Sequence, residues 1–186
     1  MFLEEKNLEV QSCSKCVGYS QGKAFFRGDI KAKILIVGEA AGKTEVKYSQ
    51  PFMGICGKTL QRWIEEHNFK VAITNVCMCK PFYKPTKEMV TNCRPYLEWV
   101  VNTVKPRVIF PFGTTAFKAV LGIDPLPSKY VSEQCYTISR VNSFGIDALT
   151  YPMPHPRYFI STGKGVEGKR IPKLSPEILK IIEVYR

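Results

Sequence analysis

Four side chains with the chemistry to work on a flat, polar ligand stand at or near the ends of short apolar runs: Glu39, Phe52, Asn75 and His155. Glu39 follows Ile34 to Val37 and Gly38, and a carboxylate there can orient water or balance a cation. Asn75 closes the run VAITNV, and its amide offers a donor and an acceptor to a complementary edge. An ordinary Asx turn would use it equally well. His155 lies between Pro154 and Pro156, which hold it extended, and an imidazole can face a developing anion. Phe52, in the loop Pro51 to Gly54, is placed either to stack on a flat ligand or to fill core. A second chemistry belongs to sulfur. Cys13 and Cys16 form a C-x-x-C pair that suits zinc, an iron-sulfur cluster or a redox dithiol. The pair precedes the first predicted strand, which disfavours the redox motif and favours metal or cluster ligation, provided further ligands exist.

The elements that must position these groups alternate. Strands are predicted over 34–37, 71–76, 108–112 and 148–153. Helices are predicted where Leu60, Trp63 and Ile64 repeat, and along the stripe Val90, Cys93, Leu97, Val100, Val101 and Val104. Pro95 is expected at a kink or in a first turn. A short helix should run from Gly113 and Thr114 to Gly122, and a last one should start at Ser175 and Pro176. Residues 38–57 read as a glycine-punctuated loop, and the leader before the first strand reads as polar and loop-rich. His67 lies at the polar end of a helix without an evident role. Strand-helix alternation implies a parallel, doubly wound sheet, which binds ligands beyond the carboxyl ends of its strands. Glu39, Asn75, Gly113 and His155 then converge on one edge. Residues 1–186 are expected to form one α/β domain.

Charge narrows the partner. Twenty-seven Lys and Arg against sixteen Asp and Glu leave a net charge of +11, which favours nucleic acid first and an acidic membrane surface second. There is no apolar run of about 18 residues, and the start MFLEEKNLEV lacks a signal-peptide core. The expectation is a monomer without a membrane segment, cytoplasmic and nucleoid-associated. In that reducing setting seven cysteines, an odd number, argue against a disulfide framework.

The motifs, taken together and in order, resemble the iron-sulfur uracil-DNA glycosylases, often called family four. GEAAGKTE with QPFMGICG is similar to that family's Gly-Glu-x-Pro-Gly and Pro-Phe-x-Gly signature. ITNVCMCKP is similar to its Thr-Asn-x-x-x-Cys-x-Pro element, VIFPFGTTA to its third strand and turn, and HPR to its His-Pro-Ser segment. The resemblance implies a three-layer α/β/α fold around a four-stranded parallel sheet. It implies a 4Fe-4S cluster on Cys13, Cys16, Cys79 and Cys93, with residues 1–32 as the N-terminal ligand segment and zinc as the competing metal. Cys77 is an alternative to Cys79, Cys56 is assigned to packing, and Cys135 has no role. The implied activity is hydrolysis of the N-glycosidic bond of uracil in single- or double-stranded DNA by base flipping. Glu39 and His155 would be catalytic. Gly38, Ala40, Ala41, Gly42, Phe52 and Asn75 would bind uracil, and Pro156 and Arg157 would contact DNA. Ala41 stands where the family has proline and Arg157 where it has a small residue, departures that bear on activity and base range. The rival outcomes are a relative that binds without turnover, traps DNA covalently or removes deaminated purines, and a non-catalytic iron-sulfur or zinc DNA-binding accessory protein.

Overall fold

A computed structural model describes residues 2–123, 137–140, 142–160 and 171–184 of the chain. Its centre is a sheet of five strands, β1 (Arg27–Gly28), β2 (Ile34–Ala40), β3 (Val71–Cys77), β4 (Val108–Pro111) and β5 (Leu149–Thr150), in the order β1-β3-β2-β4-β5. The four expected strands are all parallel, and β1 adds a short antiparallel edge beside β3.

Alternating side chains of the sheet feed two cores, as the two-residue strand period requires. Leu35 and Val37 of β2 face one core with Ala72, Val76 and Ile109. That side is covered by α1 (Leu3–Ser12), α4 (Lys87–Val104) and α5 (Thr114–Leu121), through Val10, Leu97, Val100, Ala116 and Val120. Ile34, Ile36, Phe110 and Ile73 face the other core, under α3 (Ile55–Glu66) and α6 (Pro176–Glu183). Trp63 of α3 meets Phe110 edge-on at 5.4 Å and Phe112 at 6.1 Å, a geometry worth about 0.5–1.5 kcal/mol per pair beyond burial. Three layers result.

The caps follow the sequence closely. Thr86 caps α4 by accepting from the Met89 N–H at 3.2 Å, and Ser175 caps α6 by accepting from Ile178 at 3.4 Å. Gly122 ends α5 in the left-handed conformation.

Four local expectations are corrected. The leader begins with α1, not a loop. A short helix, α2 (Lys43–Tyr48), lies inside the stretch read as loop. Pro95 sits within α4, where it withholds one N–H from the carbonyl of Thr91. Strand β2 runs on to Ala40 because β3 continues beside it, pairing Gly38 with Asn75 and Ala40 with Cys77, so Glu39 belongs to the strand itself. Cys135 and the basic segment 163–170 lie outside the described residues.

Candidate active site

The carboxyl edge of the sheet is built from four chain segments. On β2, Gly38 lies opposite Asn75 of β3. A Cβ on Gly38 would strike Asn75 Oδ1 and would come within 2.6 Å of Phe52 Cε2, so only glycine leaves room for the aromatic ring and the amide to share this spot. Asn75 is 2% exposed, and its Nδ2 has no hydrogen-bond partner among the described residues. A buried orphan donor costs about 1–3 kcal/mol.

Phe52 is buried yet strained, with φ +56°. Its backbone is held in that left-handed conformation from two sides. Arg27 Nη1 donates to its carbonyl at 2.9 Å, while the same guanidinium reaches Gln61 through Nη2. A Cβ on Gly57 would strike that carbonyl, so the first turn of α3 closes over it only with glycine. Glu45 steadies the loop further: its Oε1 accepts the Gly54 N–H at 2.8 Å at the start of α3. A side chain on Gly42, which begins α2, would strike the other oxygen of the same carboxylate.

Beside this cluster, Thr115 of α5 donates its hydroxyl to Glu39 Oε2 at 2.6 Å. The Glu39 carboxylate acts electrostatically on His155. His155 packs on Gly113, whose φ is +87° and where a Cβ would lie 3.2 Å from the His155 ring. His155 Nδ1 accepts the Arg157 N–H at 3.2 Å, so the neutral ring carries its proton on Nε2. Burial lowers the His155 pKa below the ordinary 6.5, Glu39 pulls it upward and Arg157 pushes it further down.

Gly38, Phe52 and Asn75 meet, and Glu39, one residue further along β2, acts on His155 through its charge. Ala40 ends β2, while Ala41, buried, and Gly42 carry the chain into α2. Pro156 is buried in the first turn of a 3-10 segment, Pro156–Phe159, whereas Arg157 is exposed. Arg157 lines a cavity of about 470 Å³ with Thr44, Glu45, Gly54, Ile55 and Cys56. Cys56 therefore borders a cavity and does not pack in a core. Thr115, Arg27 and Glu45 join the site beyond the residues that the motifs single out; only Thr115 carries a signal in the sequence, as a hydroxyl just past the end of β4.

The sulfurs gather on the opposite side of β3. Cys16, Cys79 and Cys93 are buried and Cys13 half-buried, and Cys79 feels the charge of each of the other three. Two N–H donors are aimed at them: Met78 N to Cys93 Sγ at 3.5 Å and Asn92 Nδ2 to Cys16 Sγ at 3.4 Å. Such donors stabilise thiolates, and the Cys93 thiol is lowered, first by the Cys77 side chain, whose own pKa rises in consequence. The donor set fits a thiolate-ligated cluster. Among the described residues no three Cys, His, Asp or Glu side chains are already drawn together around one metal-ion position.

Residues 25–175 match the family model described as "Uracil DNA glycosylase superfamily". Among curated proteins the chain is similar to type-4 uracil-DNA glycosylases. It is 35% identical to that of Sulfurisphaera tokodaii over 63% of this chain and 57% of the relative. It is 28% identical to that of Saccharolobus solfataricus over 80% and 72%, and 30% identical to that of Archaeoglobus fulgidus over 80% and 78%.

Proposed function

Because the chain belongs to the uracil-DNA glycosylase superfamily, we propose that it hydrolyses the N-glycosidic bond of uracil in DNA and leaves an abasic site. A DNA-repair glycosylase function is what the family match and the type-4 relatives support. The observation that carries the reading to particular residues is the buried Asn75 amide whose Nδ2 lacks a partner, beside Phe52 and Gly38.

Uracil inside a duplex is out of reach, so the base is extruded, at a cost of a few kcal/mol that is least for single strands and mismatches. The flipped ring stacks on Phe52. Asn75 Nδ2 donates to a ring carbonyl and Oδ1 accepts the ring N–H, the complementary pattern to the imide edge. Backbone groups from Gly38 through Gly42 complete the cradle. As the bond breaks, its electron pair stays on the base, and His155 Nε2–H faces the anion that forms. One donor so placed is worth about 3–4 kcal/mol of barrier. Glu39, fixed by Thr115, orients the attacking water and opposes the positive charge on the sugar. Arg157 contacts phosphate.

Cys13, Cys16, Cys79 and Cys93 would hold a 4Fe-4S cluster. Bound there, its contribution is structural, fastening the leader and the chain after β3 to α4.

Single-turnover cleavage of a labelled oligonucleotide with one uracil, as single strand, U·G and U·A, tests the proposal. The expected product is an alkali-labile site at the uracil. Bound but uncleaved DNA in all three forms would overturn it.

A further inference from the structure

The segment from Lys80 to Thr86, KPFYKPT, leaves the carboxyl side of β3 and leads into α4, so the topology puts it at the sheet edge that carries Glu39 and Asn75. Its side chains are unlike those of an ordinary connection. Tyr83 is 97% exposed and Phe82 58% exposed, adjacent aromatics kept out of both cores, whereas Phe110 of β4 and Phe112 just after it are buried. Lys80 precedes them and exposed Lys84 and Lys87 follow, and no acidic residue occurs between Lys80 and Lys87. The loop is also anchored. Lys80 N–H donates to the Gly22 carbonyl at 3.0 Å, Lys80 Nζ reaches Gln21 Oε1 at 3.3 Å, and Thr86 caps α4. Pro81 and Pro85 restrict the backbone between those anchors.

Exposed aromatics interleaved with cations on a braced loop are the design of a stacking platform for unpaired bases, with lysines tracking the backbone. Exposed aromatics alone would serve a protein surface equally well; the lysines beside them, with no acidic residue between Lys80 and Lys87, favour a polyanion, and an unpaired strand presents open base faces where a duplex admits a side chain only as a wedge. We propose that Phe82 and Tyr83 stack on unpaired nucleotides flanking the target, with Lys84 and Lys87 on their phosphates, so that the chain grips single-stranded DNA more tightly than duplex. This rests on the glycosylase reading for its substrate but not for its test.

The test is binding of a uracil-free, fluorescein-labelled oligothymidylate and of a matched duplex by anisotropy across a salt series. The Phe82→Ala/Tyr83→Ala double variant should bind the single strand about tenfold or more weakly, with the salt slope unchanged and duplex affinity within about twofold. Lys84→Gln/Lys87→Gln should flatten the slope by up to about 1.4. Tyr83→Trp should keep wild-type affinity, which separates stacking from disturbance of the loop. Unchanged single-strand affinity in the double alanine variant, or an equal loss on single strand and duplex, overturns the proposal. Because these oligonucleotides contain no uracil, absence of excision in the separate cleavage assay would bear on the catalytic reading alone.

Discussion

Thr115 Oγ1 lies 2.6 Å from Glu39 Oε2, joining the helix after β4 to the carboxylate on β2. A hydrogen bond to a charged group contributes about 1.5–3 kcal/mol, and this one also fixes which way the carboxylate points. Thr115→Val removes the donor while keeping the shape. It should lower the single-turnover excision rate about tenfold or more with little change in DNA affinity, and Thr115→Ser should restore most of the loss. Glu39→Ala should cost at least as much. An unchanged rate in Thr115→Val would show that Glu39 needs no such restraint.

Asn75 separates function from stability. Its Nδ2 is buried without a partner, so the fold already bears the desolvation cost of an unmade hydrogen bond, about 1–3 kcal/mol. Asn75→Ala removes that cost and leaves a small cavity, two effects of opposite sign. Thermal unfolding should therefore move by no more than a few degrees, while excision of uracil falls at least about a hundredfold. Gly38→Ala should do the reverse on stability. Its methyl would lie 2.6 Å from Phe52 Cε2, and such overpacking costs about 1–3 kcal/mol besides closing the pocket.

The sulfur ligands are testable without any DNA. In protein purified with iron, Cys79→Ser and Cys93→Ser should each lose the brown colour and most of the bound iron and unfold at lower temperature. Cys77→Ser should retain iron, since Cys77 lies on β3 and its side chain is engaged with that of Cys93. Loss of iron from Cys77→Ser with retention in Cys79→Ser would exchange the two assignments. Zinc in stoichiometric amount in place of iron would replace the cluster.

The placement of Glu39, Asn75 and His155 toward one sheet edge was legible because the apolar runs mark the strands and a parallel sheet brings their carboxyl sides together, although β2 itself runs on past Glu39. What escaped notice depends on contacts that no local pattern carries. Thr115 finds Glu39 across 76 residues and Arg27 finds Phe52 across 25. The helix α1 hid for another reason: its buried residues are Lys6 and Val10, too few for an apolar stripe. Lys6 is buried through its stem, with its ammonium 5.5 Å from the Tyr96 ring centre and 5.9 Å from that of Trp99. His67 looked idle because its partners are tertiary. It is 6% exposed, bonds the Trp63 carbonyl through Nδ1 at 2.7 Å and accepts the Leu174 N–H at 3.3 Å through Nε2. That ring ties the segment before α6 to α3. His67→Ala should destabilise the fold by about 1–3 kcal/mol and leave the excision rate of folded protein unchanged.

The two histidines of the chain make the protonation state of the site directly measurable. Burial lowers the His155 pKa, and Glu39 opposes that shift. Removing the opposing charge in Glu39→Gln should therefore lower the His155 value further, which an NMR titration can follow with His67→Gln used to assign the second signal. The sign for stability follows from linkage. As pH falls through the ordinary value near 6.5, the unfolded chain takes up a proton that the folded chain does not. His155 thus costs stability on the way down to its folded pKa, and below that value the cost stays constant. Activity follows the folded value. Protonation leaves the Nε2–H in place but puts an N–H on Nδ1, against the Arg157 N–H that the neutral ring accepts there, and so displaces the ring; excision should hold as pH drops past 6.5 and decline only below the folded His155 value. In His155→Gln, which keeps a donor but does not titrate, the acid limb should vanish from a lower plateau. A limb unchanged in that variant would place the titrating group elsewhere.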